Sequence, residues 1–191
     1  LCAGGVGYRA LRLARLRDGE RLGLTGFGGS GHIVLQLARH LYPASTIYVF
    51  ARSPEERAFA RELGADWAGD TSECPPAAPH VIIDTTPAWK PVLAALAVLN
   101  PGGRLIINAI RKEAGDAALL ADIDYATHLW MEKQIQSVAN VTAEDIREFL
   151  AVAAAIPLRP EVTVLPLEQA NTALQALKMR DVRGSYVLKV S

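Results

Sequence analysis

The fold of this chain is decided by one stretch, Leu22-Gly23-Leu24-Thr25-Gly26-Phe27-Gly28-Gly29-Ser30-Gly31-His32-Ile33-Val34-Leu35-Gln36-Leu37-Ala38. A short apolar strand runs into the pattern Gly26-x-Gly28-x-x-Gly31, and apolar residues at helical spacing follow directly. A bare glycine pattern is also compatible with a turn that has only a structural role. The succession of strand, glycine loop and helix favours a dinucleotide-binding loop, since that is the context in which such loops hold a pyrophosphate.

Each glycine of the pattern has its own expected role. Gly26 can adopt the backbone angles of the tight turn, Gly28 leaves room for the pyrophosphate, and Gly31 lets the helix pack closely on the strand. The free N–H groups of the first helical turn then face the phosphates, with the positive end of the helix dipole behind them. We therefore expect the cofactor-binding loop to consist of Gly26, Phe27, Gly28, Gly29, Ser30 and Gly31.

Length and composition exclude several other classes of protein. The 191 residues include 20 basic and 20 acidic side chains, so no net charge favours nucleic acid or an anionic membrane surface. We find no apolar run of membrane-spanning length and no secretory leader. Cys2 and Cys74 are too few and too far apart for a disulfide framework, which favours the reducing cytoplasm. The chain opens without Met, and we expect it to be the C-terminal part of a longer protein.

Outward from the glycine loop, the predicted elements alternate between strand and helix. A leading helix is expected over residues 5–17, strands over 21–25, 45–51, 65–68, 80–84 and 104–108, and helices up to 41, from 54 to 63 and from 87 to 99. This alternation predicts an α/β, Rossmann-type, doubly wound parallel sheet. Ligands of such sheets bind at the carboxyl ends of the strands. The further candidates for ligand contact are therefore Arg52, Ser53, Thr85, Thr86, Asn108, Ala109 and Ile110.

The rest of the chain does not continue the regular alternation of strand and helix. Residues 111–133 show no clear period, and a last strand over 134–140 is followed by a helix over 143–156. The tail is predicted as strand, helix (167–179) and strand (185–190), and we expect it to pack on something other than the main sheet. We accordingly divide the chain into a dinucleotide-binding domain, residues 1–156, and a C-terminal segment, residues 157–191.

Five short markers carry a family resemblance that covers essentially the whole chain. They are Cys2-Ala3-Gly4 with Tyr8-Arg9-Ala10-Leu11, the glycine loop with His32, Glu62-Leu63-Gly64-Ala65-Asp66, Asn100-Pro101-Gly102-Gly103-Arg104, and Gly184-Ser185-Tyr186-Val187-Leu188-Lys189. In order and spacing the chain resembles the zinc-dependent alcohol dehydrogenases of the medium-chain dehydrogenase/reductase superfamily.

That resemblance implies hydride transfer between NADP(H), or NAD(H), and a small alcohol, aldehyde or ketone substrate. It also implies an N-terminal catalytic domain that this chain lacks and to which residues 157–191 would return. Family members pair through the last strand of the sheet, here near residues 134–141, so a homodimer or homotetramer is expected. The fragment alone would bind dinucleotide without being active.

Cys2 matches the family's position for the third protein ligand of the catalytic zinc. A zinc-bound thiolate stays deprotonated, and an open fourth position on the metal polarises the substrate oxygen. The alternative for a lone cysteine is a small buried thiol. Neither Cys74 nor any of the four histidines shows a spacing that would complete a metal site.

The residues after the second strand bear on the choice between NADP and NAD. NAD enzymes carry an acidic residue there for the ribose hydroxyls, and this chain has Ala51, then Arg52 and Ser53. Arg52 can pair with a 2′-phosphate and Ser53 can donate to it, which favours NADP. Alternatively, Arg52 is a solvated charge and Ser53 a helix cap. Arg183 is a candidate for the family's phosphate-binding arginine near the C-terminus, where Ser185 occupies the matching position, or else it is a surface charge.

Three rival functions remain open from the sequence. A zinc-free quinone or enoyl reductase of the same superfamily is disfavoured by Cys2. A non-catalytic nucleotide-sensing module is disfavoured by Cys2 and by the tail after Pro160. An S-adenosylmethionine methyltransferase is disfavoured by Gly31 and by the missing acid after the second strand.

Overall fold

At the centre of the computed structural model, which describes residues 1–179 and 182–190, lies a six-stranded parallel sheet. The strands are β1 (Arg21–Thr25), β2 (Thr46–Phe50), β3 (Trp67–Gly69), β4 (Val81–Asp84), β5 (Arg104–Ile107) and β6 (Gln134–Ser137). Their order is β3-β2-β1-β4-β5-β6. The direction of winding reverses between β1 and β4, which leaves a crevice at their carboxyl ends. The predicted doubly wound parallel sheet is confirmed.

Helices cover both faces of this sheet. The helices of the dinucleotide-binding part are α1 (Cys2–Ala14), α2 (Gly31–Leu41), α3 (Pro54–Glu62), α4 (Lys90–Val98) and α5 (Ala143–Ala155). The larger core joins α1, α2, α3 and α5 to one face, and the smaller core joins α4 to the other. Because both faces are covered, the central strands read as continuous apolar runs rather than as alternating ones.

An aromatic cluster replaces a helix on one part of the sheet. Residues 70–80, between β3 and β4, contain no helix. The Trp67 ring packs edge-on against Tyr48 at 6.1 Å and against Phe50 at 5.2 Å between centroids. These three rings shield the face of β2 and β3 that a crossover helix would otherwise bury.

The predicted position of the leading helix was wrong by three residues, because the helix begins and ends three residues earlier than expected. It covers Cys2–Ala14 rather than 5–17, and Arg15 ends it in a left-handed conformation with φ of 50°. A methyl group added at Gly4 would lie 2.2 Å from the Phe149 ring, and one at Gly7 would lie 2.6 Å from the Val34 side chain. Gly4 and Gly7 therefore let α1 approach α5 and α2 closely. Because glycine has no apolar side chain, the first turns of α1 show no hydrophobic period in the sequence.

The second half departs from its predicted boundaries in several places. Two short irregular helices, Ala117–Asp122 and Tyr125–Leu129, separate β5 from β6, and β6 ends before the predicted residue 140. α4 begins three residues later than residue 87. The C-terminal helix divides into a 3-10 turn, Leu167–Gln169, and α6 (Ala170–Met179).

The C-terminal strands form a sheet of their own. β7 (Val162–Pro166) and β8 (Ser185–Lys189) pair in parallel with each other and with no strand of the main sheet. Many of their side chains are exposed, which separates them from the main cores. Across residues 1–179 and 182–190, none of the helices combines the length and apolar character needed to cross a membrane.

Candidate functional site

The glycine loop, residues 26–31, connects the end of β1 to the start of α2. Gly26 has φ of +82°, and its N–H donates to the Phe50 carbonyl at 2.9 Å. A methyl group added at Gly31 would lie 2.6 Å from the carbonyl oxygen of Gly26, whereas one at Gly28 would meet nothing within 4 Å. The loop is thus tightly packed at Gly31 and open at Gly28, which is the arrangement expected if a ligand approaches the main chain there.

Unused N–H groups line the open side of the loop. The N–H of His32 donates to the Gly28 carbonyl at 3.3 Å, and that of Val34 donates to the Ser30 carbonyl at 3.0 Å. Within the part of the chain that the structure describes, the N–H groups of residues 28–31 have no hydrogen-bond acceptor. Four such donors at the positive end of an 11-residue helix are an arrangement that favours a negatively charged ligand. The Phe27 ring is buried against Phe59 at 5.5 Å, so Phe27 would contribute through its main chain.

His32 connects this loop to the C-terminal segment. Its ring is fully buried, and Nε2 accepts the N–H of Glu161 at 3.1 Å. The proton therefore sits on Nδ1, which donates to the Gly28 carbonyl at 2.9 Å. Burial lowers the pKa of His32, while the Gly28 carbonyl and the Glu161 carboxylate oppose that effect. A neutral His32 thus fixes the Gly28 peptide and residue 161 relative to each other.

The start of β8 lies against the glycine loop. The Ser185 hydroxyl is 3.0 Å from the point where a Gly29 methyl would sit, and the Ser185 N–H donates to the Glu161 carbonyl at 3.0 Å. The Arg183 guanidinium lies 4.1 Å from the centre of the Phe59 ring and pairs with Glu62 at 2.9 Å. Ser185 is therefore the side chain that reaches the loop here, and a phosphate-binding role for Arg183 stays a prediction.

The end of β2 presents an unpaired arginine. Ala51 is buried where an acidic residue would bind ribose hydroxyls, and the Arg52 side chain is exposed. The Arg52 guanidinium has no hydrogen-bond or ion-pair partner among residues 1–179 and 182–190. The Ser53 hydroxyl accepts the N–H of Glu56 at 3.0 Å and so caps α3, as the capping alternative expected. Arg57 holds the turn by donating to the carbonyls of residues 51 and 52, both at 2.8 Å.

The candidate residues after β4 and β5 differ in what they offer a ligand. The Thr85 hydroxyl donates to the Thr25 carbonyl at 3.1 Å, and the Thr86 hydroxyl donates to Asp84 Oδ1 at 2.8 Å. Asn108 is buried, and its Nδ2 has no acceptor in the described residues. A buried donor without a partner costs about 1–3 kcal/mol, so a ligand oxygen at Asn108 would be favoured. Ala109 is partly buried and Ile110 is fully exposed.

A buried ion pair at this edge of the sheet was missed from the sequence. Asp84, the last residue of β4, has no exposed surface and pairs with Lys112. Burial raises the pKa of Asp84, and the Lys112 ammonium and Thr86 oppose that rise. A signal existed, because an acid at the end of the apolar run Val81-Ile82-Ile83 requires a partner. Nothing in the irregular segment after β5 indicated which cation it would be.

A complete metal site is not found in the described parts of this chain. Cys2 is the first residue of α1 and its side chain is exposed, unlike the buried thiol of the alternative interpretation. No group of three or more His, Cys, Asp or Glu side chains lies close enough to hold a metal ion across residues 1–179 and 182–190. Cys2 as a zinc ligand therefore stays a prediction that needs further ligands from elsewhere.

A parallel sheet in this strand order, with a glycine loop at its switch point, defines a dinucleotide-binding domain. The family model described as zinc-binding dehydrogenase matches residues 29–155, and the chain belongs to that family. The predicted family resemblance is thereby confirmed.

Curated relatives and solved structures agree with this assignment. A probable alcohol dehydrogenase of Mycobacterium tuberculosis is 38% identical over 190 residues, which cover 100% of this chain and 53% of that protein. The alcohol dehydrogenase of Aeropyrum pernix superposes with a TM-score of 0.84 at 23% identity, over 99% of this chain and 56% of the other. A Helicobacter pylori protein solved with NADP(H) superposes with a TM-score of 0.81 at 20% identity, over 98% of this chain and 53% of the other. The chain spans about half the length of the curated relatives it matches.

Proposed function

We propose that this chain is the cofactor-binding part of a zinc-dependent alcohol dehydrogenase that transfers hydride between NADP(H) and an alcohol, aldehyde or ketone. One observation carries the proposal: within the described residues the N–H groups of residues 28–31 have no acceptor, and the position of a Gly28 side chain is open space. When bound, the dinucleotide supplies the hydride-carrying nicotinamide ring. The chain itself binds the pyrophosphate and orients the two halves of the cofactor across the switch point.

The preference for NADP is supported by the end of β2. Ala51 places no negative charge where a 2′-phosphate would lie, and the exposed Arg52 has no competing partner within the described residues. A guanidinium can bind a phosphate through two parallel hydrogen bonds. Ser53 caps α3 as an acceptor, which leaves its own O–H free to donate to the same phosphate. The Helicobacter pylori relative was solved with NADP(H), although another neighbour, an acetophenone reductase, was solved with NAD.

The test is calorimetric titration of the chain with NADPH and NADH, before and after Arg52→Ala. We expect NADPH to bind more tightly, and the mutation to weaken NADPH by about tenfold or more while NADH changes less, because a charge-assisted hydrogen bond contributes about 1.5–3 kcal/mol. Arg17→Ala is the matched control. Arg17 is exposed and lies four residues before β1, at the amino ends of the strands and away from the carboxyl ends where Arg52 lies.

Two outcomes would contradict the proposal at different levels. Equal binding of both cofactors, unchanged in Arg52→Ala, removes the NADP assignment and leaves dinucleotide binding in place. Absence of binding by a folded chain removes the dinucleotide-binding function itself.

The wider features of the complete protein follow from the family. We propose that residues 157–191 return to a catalytic domain outside these 191 residues, and that Cys2 is one ligand of a zinc ion whose other ligands lie there. Loss of bound zinc from a Cys2→Ser variant of the complete protein, measured by elemental analysis, is the expected result. We also propose a cytoplasmic protein that pairs through β6 as a homodimer or as part of a homotetramer.

A further inference from the structure

The ammonium group of Lys112 is fully committed to one small cluster. It pairs with the Asp84 carboxylate and donates to the carbonyl oxygens of Thr86 at 2.8 Å and Ala88 at 2.9 Å. An ammonium has three N–H donors, so none remains unused. The Lys112 side chain is 9% exposed and the Asp84 side chain is 0% exposed.

This cluster joins the two loops that follow neighbouring strands. Asp84 is the last residue of β4, and Lys112 lies five residues beyond the end of β5. Two main-chain bonds reinforce the connection. The Asn108 N–H donates to the Asp84 carbonyl, and the Glu113 N–H donates to the Pro87 carbonyl, both at 2.7 Å. Residues 84–88 and 108–113 thus form one bonded unit at the carboxyl edge of the sheet.

Two candidate cofactor residues are fixed within this unit. Asp84 Oδ1 accepts from the Thr86 hydroxyl at 2.8 Å and from the Thr86 N–H at 3.2 Å, while Lys112 holds the Thr86 carbonyl. Asn108 is held through its own N–H and carries the unpartnered Nδ2. A buried ion pair contributes little net stability compared with apolar residues of the same size. Its hydrogen bonds to Thr86, and the bond between Asp84 and Asn108, therefore indicate a role in geometry.

We propose that Lys112 is a positioning residue for the nicotinamide half of the dinucleotide, acting through Asp84 to hold Thr86 and Asn108 in place. This inference rests on the proposed function. The adenosine half belongs to β1–β3, where the glycine loop and Arg52 lie, and the other mononucleotide belongs to β4–β6. The bonds of Lys112 reach β4 and its loop and do not reach the residues around Arg52.

The experiment separates the two halves of the cofactor. The chain and its Lys112→Met variant are titrated with the preferred reduced dinucleotide and with the matching adenosine fragment, 2′,5′-ADP for NADPH or 5′-ADP for NADH. We expect Lys112→Met to weaken the dinucleotide by about tenfold or more and the fragment by less than about twofold. The fluorescence of the bound dihydronicotinamide should also shift towards that of the free cofactor.

Two further variants keep a structural effect separate. Asp84→Asn with Lys112→Met removes both charges, so no unpaired buried carboxylate remains, and it should keep the selective loss if Lys112→Met alone folds poorly. Lys133→Met is the matched control, because the Lys133 ammonium also binds two carbonyls, of Leu96 at 2.6 Å and Thr127 at 2.7 Å. It lies away from the cluster and should leave the ratio of the two affinities unchanged.

Each other outcome overturns the inference in a recognisable way. Equal loss of dinucleotide and fragment in the folded variants, no loss of either, or the same selective loss in Lys133→Met, would show that Lys112 has no specific positioning role. If the unmodified chain binds dinucleotide and fragment equally well, the nicotinamide half makes no contact to position, although dinucleotide binding stands. If a folded chain binds neither, the proposed function fails and this inference fails with it.

Discussion

Gly28 and Gly31 belong to the same motif but differ in the space that each leaves for an added methyl group. At Gly31 the methyl would lie 2.6 Å from a main-chain oxygen, which cannot rotate away, and at Gly28 it would enter open space. We predict that Gly31→Ala lowers the free energy of unfolding by about 1–3 kcal/mol, the usual cost of overpacking. Gly28→Ala should leave stability within about 1 kcal/mol and reduce dinucleotide affinity at least tenfold, because the methyl occupies the space that the pyrophosphate needs.

Urea unfolding and calorimetric titration measure the two effects separately. Gly115→Ala is a control for the general effect of replacing a loop glycine, since a methyl group there also meets nothing within 4 Å. A Gly28→Ala variant that binds as tightly as the unmodified chain would show that the open position is not where the ligand approaches.

Individual residues also show the limit of reading function from a sequence. The glycine loop was identifiable because its spacing and its flanking strand and helix are all local. The pairing of Asp84 with Lys112 spans 28 positions and depends on β4 and β5 being neighbours, so no local pattern reveals it. The role of Arg183 is equally hard to predict from the sequence. Whether its guanidinium binds a phosphate or the Glu62 carboxylate depends on where the fold places it.

At the scale of elements, one acid connects the first and fifth helices. Asp145 forms a capping box with Thr142 at the start of α5, and its oxygens also bind Arg9 at 2.7 Å and Arg12 at 3.0 Å on α1. Its side chain is 1% exposed. Burial raises the pKa of Asp145, but the bonds from Thr142 and Arg9 outweigh burial and lower it to about 2.

This depressed pKa predicts acid sensitivity. The unfolded chain binds a proton at Asp145 near pH 4 and the folded chain binds it only near pH 2, so stability present above pH 4 is lost as the pH falls through that range. The difference corresponds to about 2–3 kcal/mol. Asp145→Asn should therefore lower the free energy of unfolding at pH 7 by about that amount and flatten its dependence on pH between 4 and 2.

Chemical unfolding across that range, monitored by circular dichroism, checks the prediction. Glu148→Gln is the control, because Glu148 also contacts Arg12 at 3.0 Å but is 40% exposed. Such a surface pair contributes at most about 1 kcal/mol. If the two variants lose equal stability, the buried position of Asp145 has no special effect.

Elements were predictable where a buried face supplied the pattern. The strands of the main sheet carry apolar runs such as Val81-Ile82-Ile83, and α3 shows its cap in Ser53-Pro54-Glu55. The start of α1 was misplaced because its first turns contact α5 and α2 through Gly4 and Gly7, which carry no hydrophobic signal. The end of β6 was misplaced because all four of its residues are exposed in the single chain. Their hydrophobicity pattern therefore does not mark where the strand ends.

At the scale of the whole molecule, that exposed strand has a consequence for assembly. Among residues 1–179 and 182–190, β6 pairs with β5 alone, so its outer edge presents main-chain N–H and C=O groups that no other described strand binds. Large apolar side chains lie on or close before it in the sequence, namely Tyr125, Trp130, Met131 and Ile135. Natural proteins protect an exposed edge of this kind by charge, by cover or by pairing. Pairing of two copies through β6, as proposed for this family member, would satisfy that edge.

We predict that Ile135→Lys weakens self-association at least 100-fold, because it places a charge on each partner at the shared edge. Sedimentation velocity over a concentration series measures the change. The matched control is Leu174→Lys on α6, where the replaced side chain is 61% exposed against 46% for Ile135. Dissociation caused by Leu174→Lys and not by Ile135→Lys would place the contact between copies on the C-terminal segment. A chain that is monomeric before any substitution would contradict pairing through β6 in these 191 residues.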